Sequence, residues 1–261
     1  MVARTDYLLH LADNALVLGQ RNAEWCGHGP ILEEDMALAN NSLDHIGQAR
    51  LLYQHVAQLR KDGRTTEDLL AYFRGVEDFK NYTLLELPHT TALLPTARAD
   101  CDYSVTIARN FLYSALMVLV WDGLKKSTDQ QLVAIASKSL KEAQYHLRHA
   151  RDWVIRLGDG TEESHQRIQK AFDYLMPYTQ EFWTASAMEA EAIKTGVGVD
   201  TATLKAAWHE IVVDALEEAT LKVPSDSGFV TTGKESVHSE HLGFLLGEMQ
   251  SLARQHPEAV W

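Results

Sequence analysis

Cysteine is scarce in this sequence, which has only Cys26 and Cys101 among its 261 residues. The two thiols stand in unrelated contexts and form neither a disulfide framework nor a recognisable zinc motif. Local signatures of a catalytic serine or cysteine nucleophile are missing as well. We therefore expect a cytoplasmic protein without structural disulfides.

Basic charge and long apolar runs are also lacking. Lysine and arginine number 24 against 36 aspartate and glutamate residues, so the formal net charge is −12. This acidic balance favours solubility and argues against binding to a phosphate backbone. The longest apolar run, Phe111 to Trp121, is too short to cross a bilayer, and the first residues lack the apolar stretch of a signal peptide. We expect neither a nucleic-acid partner nor a membrane span.

Strand patterns, glycine-rich phosphate loops, internal repeats and low-complexity tracts are absent too. No segment alternates apolar and polar residues for long enough to predict a strand. The hydrophobic fraction of 46% is nevertheless sufficient for a sizeable core, which argues against general disorder. Because the linkers are too short to mark a boundary, we predict one all-α domain over residues 1–261.

Helical periodicity is what the chain has in abundance. Four long helices are predicted, each delimited by capping residues or by glycine and proline breaks. The third is apolar almost all round from Phe111 to Leu124, which predicts a buried central helix. The four helices run from Thr5 to Trp25, from Pro30 to about Arg60, from about Asp100 to Lys126, and from Asp129 to Gly158. The second helix has an apolar stripe that consists of Leu32, Met36, Ala39, Leu43 and Ile46.

Shorter helices complete the prediction. Four long antiparallel helices with additional helices packed around them are typical of a ferritin-like bundle. Breaks are predicted at Gly75, Pro88, Pro95 and Pro177. Short helices are predicted from Phe182 to Lys194, from a cap at Asp200 or Thr201 onward, and from about Ser236 to Gln255.

One stretch of the fourth helix has the shape of a di-metal motif with one part missing. In ferritin-like di-iron bundles two helices carry Glu-x-x-His, and the one-turn spacing places both ligands on one face. Three residues before His146 stands Ala143, so a methyl group replaces the bridging carboxylate. Glu142 lies on the same side of the helix, about 40° away. Taken alone, the stretch also fits a helix histidine that happens to follow a glutamate.

The other helices offer few of the remaining ligands. Glu24, near the end of the first helix, can supply one carboxylate. If Gly47 marks the register of the second helix, His45 takes the glutamate position and Gln48 the histidine position. Iron needs several hard oxygen and imidazole ligands that converge on one point. We therefore predict no di-iron site, but vestigial positions at Glu24, His45, Gln48, Ala143 and His146, with Glu142 nearby.

Short motifs from the first helix to the last residue resemble those of one family. The combination, which extends from about Tyr7 to Trp261, resembles the C subunits of bacterial 1,2-phenylacetyl-CoA epoxidases, also called phenylacetate-CoA oxygenases. The motifs include Gly19-Gln20-Arg21 with Glu24-Trp25-Cys26-Gly27-His28, Leu43-Asp44 with Gly47-Gln48-Ala49-Arg50, Lys141-Glu142-Ala143 with Tyr145-His146, and Thr232-Gly233-Lys234 with His238 and Glu240-His241-Leu242-Gly243.

The resemblance implies a ferritin-like bundle that takes part in aerobic phenylacetate catabolism. The complex adds one oxygen atom from O₂ across the ring of phenylacetyl-CoA. A paralogous A subunit is implied to hold the di-iron centre and the CoA thioester, and a reductase with FAD and a 2Fe–2S cluster supplies electrons. The present chain is implied to be a non-catalytic structural partner without a cofactor. The glutamate positions of the A subunit fall at His45 and Ala143, and a ligand histidine falls at Gln48.

Two alternatives stay open at this point. The chain could be a self-contained metalloenzyme with an atypical site built from Glu24, His45, Glu142 and His146. It could also be a bundle with no link to an oxygenase, such as a storage protein or a metal-free adaptor. Whatever its role, the chain could form a homodimer when it is expressed alone. In the favoured interpretation, Glu24 is expected to be held in a buried polar plug by His45, Gln48 and His146.

Overall fold

The computed structural model describes residues 2–91, 101–225 and 227–259. These residues form ten α-helices and several short 3-10 helices, and no β-sheet occurs among them. The fold is therefore the all-α, ferritin-like bundle that the sequence predicts. The helices are α1 (Val2–Ala23), α2 (Leu32–Arg60), α3 (Glu67–Tyr72), α4 (Thr83–Glu86), α5 (Tyr103–Leu124), α6 (Gln130–Gly158), α7 (Glu162–Leu175), α8 (Ala187–Lys194), α9 (Lys205–Glu218) and α10 (Glu240–Gln255).

The chain divides into two compact units, and the single-domain interpretation remains a prediction. Each unit contains one pair of long helices, α1 with α2 in unit 1 and α5 with α6 in unit 2. Unit 1 consists of Met1–Leu87, Ser186–Ala192 and Thr232–Trp261, and unit 2 consists of Pro88–Ala185 and Ile193–Thr231.

The long pair of unit 1 is antiparallel and tightly packed. The Tyr53 hydroxyl of α2 donates to the Asp13 carboxylate of α1 at 2.6 Å. Further along α1, Gly19 lies against His45 of α2. Contact positions that rise along α1 therefore fall along α2, as the short connection between the helices requires.

The first half of α2 turns its apolar side outward. Leu32, Met36 and Leu43 of the predicted stripe are 72%, 57% and 66% exposed, respectively. An apolar stripe ordinarily faces the core, and this one does not. The buried face of the same segment carries Leu38 and the polar residues Asn41, Ser42, His45 and Gln48.

The long pair of unit 2 is antiparallel as well, because Tyr103 at the start of α5 packs edge-on against Trp153 near the end of α6, at 5.4 Å. The prediction that the third long helix is buried is confirmed, since most of α5 is inaccessible to solvent. Among the described residues α5 is long and apolar enough to span a membrane, but 89% of its most apolar window is buried inside the protein. That burial is the behaviour of a core helix.

Several predicted boundaries differ from the structure. The piece predicted from Phe182 is α-helical only from Ala187, because residues up to Trp183 continue a 3-10 helix that begins at Met176 after α7. The last helix begins at Glu240 rather than near Ser236, because Ser236 adopts a left-handed conformation with φ 66°. The breaks at Gly75 and Pro88 are confirmed, whereas Pro95 lies outside the described residues.

Candidate functional site

Glu24, the carboxylate expected from the first helix, lies in the turn that follows α1. Its side chain is 16% exposed, and its two oxygens accept hydrogen bonds from Nη1 of Arg21 at 2.8 and 3.1 Å. Arg21 also donates from Nε and Nη2 to the carbonyl oxygen of Glu86, at 3.2 and 2.5 Å. Charge-assisted hydrogen bonds of this kind stabilise an ionised carboxylate. Arg21 is therefore a partner of Glu24 that the sequence argument missed.

His45 and Gln48 lie one turn apart on the buried face of α2. The two long helices of unit 1 approach closely here, because a Cβ added at Gly19 would lie 3.3 Å from Cβ of His45. An imidazole and a carboxamide provide nitrogen atoms and one amide oxygen, but neither side chain is a bridging carboxylate. This part of unit 1 is polar and tightly packed.

The remaining predicted positions lie on α6 in unit 2. Ala143 and His146 are buried on one face of the helix, with Ser139 and Ala150 as the buried residues on either side. Glu142 is half-buried, and its carboxylate lies 3.5 Å from Nζ of Lys138. A methyl group at position 143 offers no ligand atom, so the Glu-x-x-His motif is incomplete.

The donor set does not fit a di-iron centre. Of the predicted positions, residues 24, 45 and 48 belong to unit 1, and residues 142, 143 and 146 belong to unit 2. Over residues 2–91, 101–225 and 227–259, no three histidine, cysteine, aspartate or glutamate side chains form a group that could hold a metal ion. Bridged iron requires carboxylate oxygens, and we derive no metal-dependent step for this chain. The vestigial assignment and the absence of a cofactor remain predictions.

A buried ion pair joins α4 to the segment before α10. Nδ1 of His238 lies 2.8 Å from Oε2 of Glu86, and Nε2 lies 2.9 Å from the carbonyl oxygen of Phe79. With Glu86 ionised, both neighbours are acceptors, so both ring nitrogens donate, which only the imidazolium form can do. Asn81 and the backbone N–H of Ser239 also donate to the Glu86 carboxylate, at 2.9 and 2.5 Å.

A second buried ion pair links Lys234 with Glu189 of α8, at 2.7 Å. The backbone N–H and the hydroxyl of Ser186 donate to the same carboxylate oxygen, each at 2.8 Å. Burial opposes the ionisation of Glu189, but the nearby His10, Lys234 and these hydrogen bonds outweigh it, so the pKa of Glu189 lies below its usual value. Gly233 lets the loop approach this region, because a Cβ there would lie 2.5 Å from the carbonyl oxygen of Asn81.

A third polar cluster fixes the region between α1, α2 and α3. Asp13 is fully buried and forms an ion pair with Arg74. It also accepts hydrogen bonds from the Tyr53 hydroxyl and from the backbone N–H of Lys80, at 2.6 and 2.9 Å. The guanidinium of Arg74 lies 4.3 Å from the ring centroid of Phe79, a cation–π contact. Every member of this cluster belongs to unit 1.

These three clusters were not predicted from the sequence. They join residues that are far apart in the chain, such as Glu86 with His238, and no local spacing encodes such contacts. A signal was present in the motif Thr232-Gly233-Lys234 with His238. In the structure, Gly233 allows close backbone packing, and the side chains of Lys234 and His238 form the two buried ion pairs.

The fold defines a class of protein, the all-α ferritin-like bundle, and the predicted ligand positions carry an imidazole, a carboxamide and a methyl group. The family model described as phenylacetic acid catabolic protein matches residues 2–261, and the chain belongs to this family. It is similar to the C subunit of the 1,2-phenylacetyl-CoA epoxidase of Escherichia coli (strain K12). The identity is 43% over 257 residues, which cover 98% of each chain.

Proposed function

We propose that this chain is a structural, non-catalytic subunit of a multicomponent oxygenase that epoxidises the ring of phenylacetyl-CoA in phenylacetate catabolism. In the proposal it pairs with a paralogous A subunit, which holds the di-iron centre and binds the CoA thioester. A reductase with FAD and a 2Fe–2S cluster delivers electrons, and the complex is cytoplasmic. The end-to-end similarity to an epoxidase subunit supports this assignment.

The proposal that this subunit is non-catalytic is supported by the side chains at the predicted ligand positions. A methyl group stands at Ala143, an imidazole at His45 and a carboxamide at Gln48, where a di-iron bundle has two glutamates and a histidine. The one carboxylate at the end of the first helix, Glu24, is hydrogen-bonded to Arg21. A side chain that already balances a guanidinium is a poor candidate for an iron ligand.

The buried ion pairs of unit 1 suggest the role of a structural subunit. Glu86 with His238, and Glu189 with Lys234, are buried charges whose partners are fixed by hydrogen bonds. Buried charge pairs stabilise a fold weakly but can specify one arrangement of its elements. In the proposed role they hold α4, α8 and α10 in fixed positions, so that the chain presents a constant surface to its partner.

The alternative of a self-contained metalloenzyme requires Glu24, His45, Glu142 and His146 to meet around a metal. Glu24 would have to exchange its guanidinium partner for the metal, which makes this alternative the weaker one. The alternative of an adaptor or storage bundle differs from the proposal in its partner, so co-purification distinguishes the two.

Co-expression with the paralogous A subunit tests the proposal. We expect an affinity tag on the present chain to recover the A subunit, and size-exclusion chromatography to show both chains in one peak at micromolar concentration. Obligate interfaces bury roughly 2,000 Å² or more and persist at such concentrations. Separate elution of the two chains, with full epoxidase activity when the present chain is left out, would contradict the proposal.

A further inference from the structure

The face of α2 that points outward has the properties of a docking surface. We call Leu32, Met36, Leu43 and Ile46 the α2 stripe, in which Ile46 forms the edge, because it is only 38% exposed and lies against Gly19 of α1. Their spacing of four, seven and three residues keeps them on one side of the helix. Single exposed apolar residues are common on proteins, whereas an aligned row of them marks a surface that another molecule covers.

The other side of the same segment makes the exposure of the stripe informative. The buried side of this segment carries Leu38 together with the polar residues Asn41, Ser42, His45 and Gln48, so the segment buries mostly polar groups while it exposes the apolar stripe. A helix that only had to stabilise this chain would place such a stripe in the core. We therefore infer that the exposed apolar side of this segment serves for contact with another molecule.

Gly47 lies beside the stripe on the same side of α2 and is a second observation in favour of a partner. A Cβ added there would have no atom of this chain within 4 Å. Glycine in a helix interior costs about 1 kcal/mol relative to alanine, and the described contacts of this chain give no reason for that cost. A second helix that crosses α2 at this point would supply one, because the missing side chain lets two backbones approach closely.

Charge decides which kind of partner the stripe fits. The flanking ionisable residues Glu33, Asp35 and Asp44 are all acidic, and α2 has no lysine or arginine before Arg50. A twofold arrangement with a second copy would place acidic flanks against acidic flanks. A partner helix with basic flanks would place charges of opposite sign beside these acids.

The size of the stripe is that of an interface centre rather than of a whole interface. From Leu32 to Ile46 it extends roughly 20 Å along the helix. The largest apolar patch on an ordinary monomer covers roughly 300–600 Å², and a standard interface buries about 800 Å² on each partner. Polar residues around the stripe would form the rim.

We propose that the α2 stripe receives a long amphipathic helix of the paralogous subunit, with an apolar face flanked by lysine and arginine side chains. The inference rests on the proposed function, and it assigns the pairing to one surface of this chain. Both helices would present apolar rows at helical spacing, the geometry in which side chains of facing helices interdigitate.

The test is a binding titration of the purified paralogous subunit with variants of this chain, measured by analytical ultracentrifugation. The double variant Met36→Glu/Leu43→Glu should weaken binding at least 100-fold, because it places two charges in the centre of the contact. The matched control is Leu252→Glu on α10, where an equally exposed leucine (54%) lies outside the stripe. The control should bind within threefold of the wild type, and both variants should retain the wild-type melting temperature because the replaced side chains are exposed.

The outcomes separate the inference from the proposed function. If the wild-type chain binds the A subunit and the double variant binds equally well, the stripe is not the docking surface, although the subunit assignment stands. If the wild-type chain does not bind at all, both ideas are refuted. Charge is tested by Glu33→Lys, which should slow association and reduce its dependence on salt. An unchanged association rate would refute a partner with basic flanks.

Discussion

Two buried histidines of unit 1 are held in opposite protonation states by the atoms around their rings. Nδ1 of His10 lies 2.6 Å from the carbonyl oxygen of Lys80, and Nε2 lies 3.3 Å from the side-chain nitrogen of Asn14. One ring nitrogen therefore donates and the other accepts, which describes a neutral imidazole. His238 faces two acceptors and is an imidazolium. These states follow from the hydrogen-bond network and could not be read from the sequence.

The neutral state of His10 makes stability depend on pH. Burial lowers the pKa of His10 and outweighs the opposing charge of Glu189, with a further lowering by Lys234. Below about pH 6.5 the unfolded chain therefore binds a proton that the folded chain excludes. The free energy of unfolding should therefore fall as the pH is lowered from about 8 to about 5.5. Urea melts at several pH values measure this dependence. The free energy of unfolding should vary less with pH in His10→Gln than in the wild type.

His241 is the control for this measurement. Burial and the charge of Arg21 lower the pKa of His241 too, so it acts in the same direction and over the same pH range. If His10→Gln retained the full pH dependence and His241→Gln removed it, the effect would belong to His241. The assignment to His10 would then be wrong.

The pair of Lys234 and Glu189 predicts a characteristic mutant cycle. Lys234→Met should cost roughly 3–5 kcal/mol of unfolding free energy, because it leaves a buried carboxylate without its counter-charge. Lys234→Met combined with Glu189→Leu should cost much less, because neither charge then remains. Urea melts of both single variants and the double variant measure the coupling. Simple additivity of the two single losses would show that the side chains do not act as a pair.

At the scale of elements, local patterns predicted the long helices well and their surroundings less well. Asp129 begins α6 because its carboxylate accepts from the backbone N–H groups of Gln131 and Leu132, a cap that is visible in the sequence. The stripe of α2 was visible too, but periodicity does not say whether an apolar row faces the core or a partner. The start of α10 depends on the packing of Ser236 and His238, which no local pattern records.

The same substitution, glycine to alanine, should have opposite effects on stability in two of the long helices. Gly158→Ala should destabilise the chain by roughly 1–3 kcal/mol, because its Cβ would lie 2.3 Å from the carbonyl oxygen of Ala219. Gly47→Ala should stabilise the isolated chain by up to about 1 kcal/mol, because nothing lies within 4 Å of the new Cβ. Thermal melts of the isolated chain compare the two. A destabilising Gly47→Ala would show that the glycine serves this chain's own fold.

At the scale of the whole molecule, the sequence predicts which ligands are missing but not what balances the polar groups that remain. The assignment of His45 and Ala143 to glutamate positions rests on the fixed spacing of the di-iron motif and on the family resemblance, and it stays a prediction. The role of Arg21 beside Glu24 was not predicted, although the two lie one turn apart, because the expected partners were those of a metal site. The family model covers residues 2–261 and supports a role in phenylacetate catabolism. The division of roles between the subunits remains our proposal.

In the proposed division of labour, the iron and the chemistry belong to a partner and not to this chain. This is tested by the iron content of the untagged chain, and separately of its complex with the A subunit, after expression with excess iron. We expect far less than one iron per isolated chain, and about two irons per A subunit in the complex, as in a di-iron centre. One or two tightly bound irons in the isolated chain would refute the proposed division.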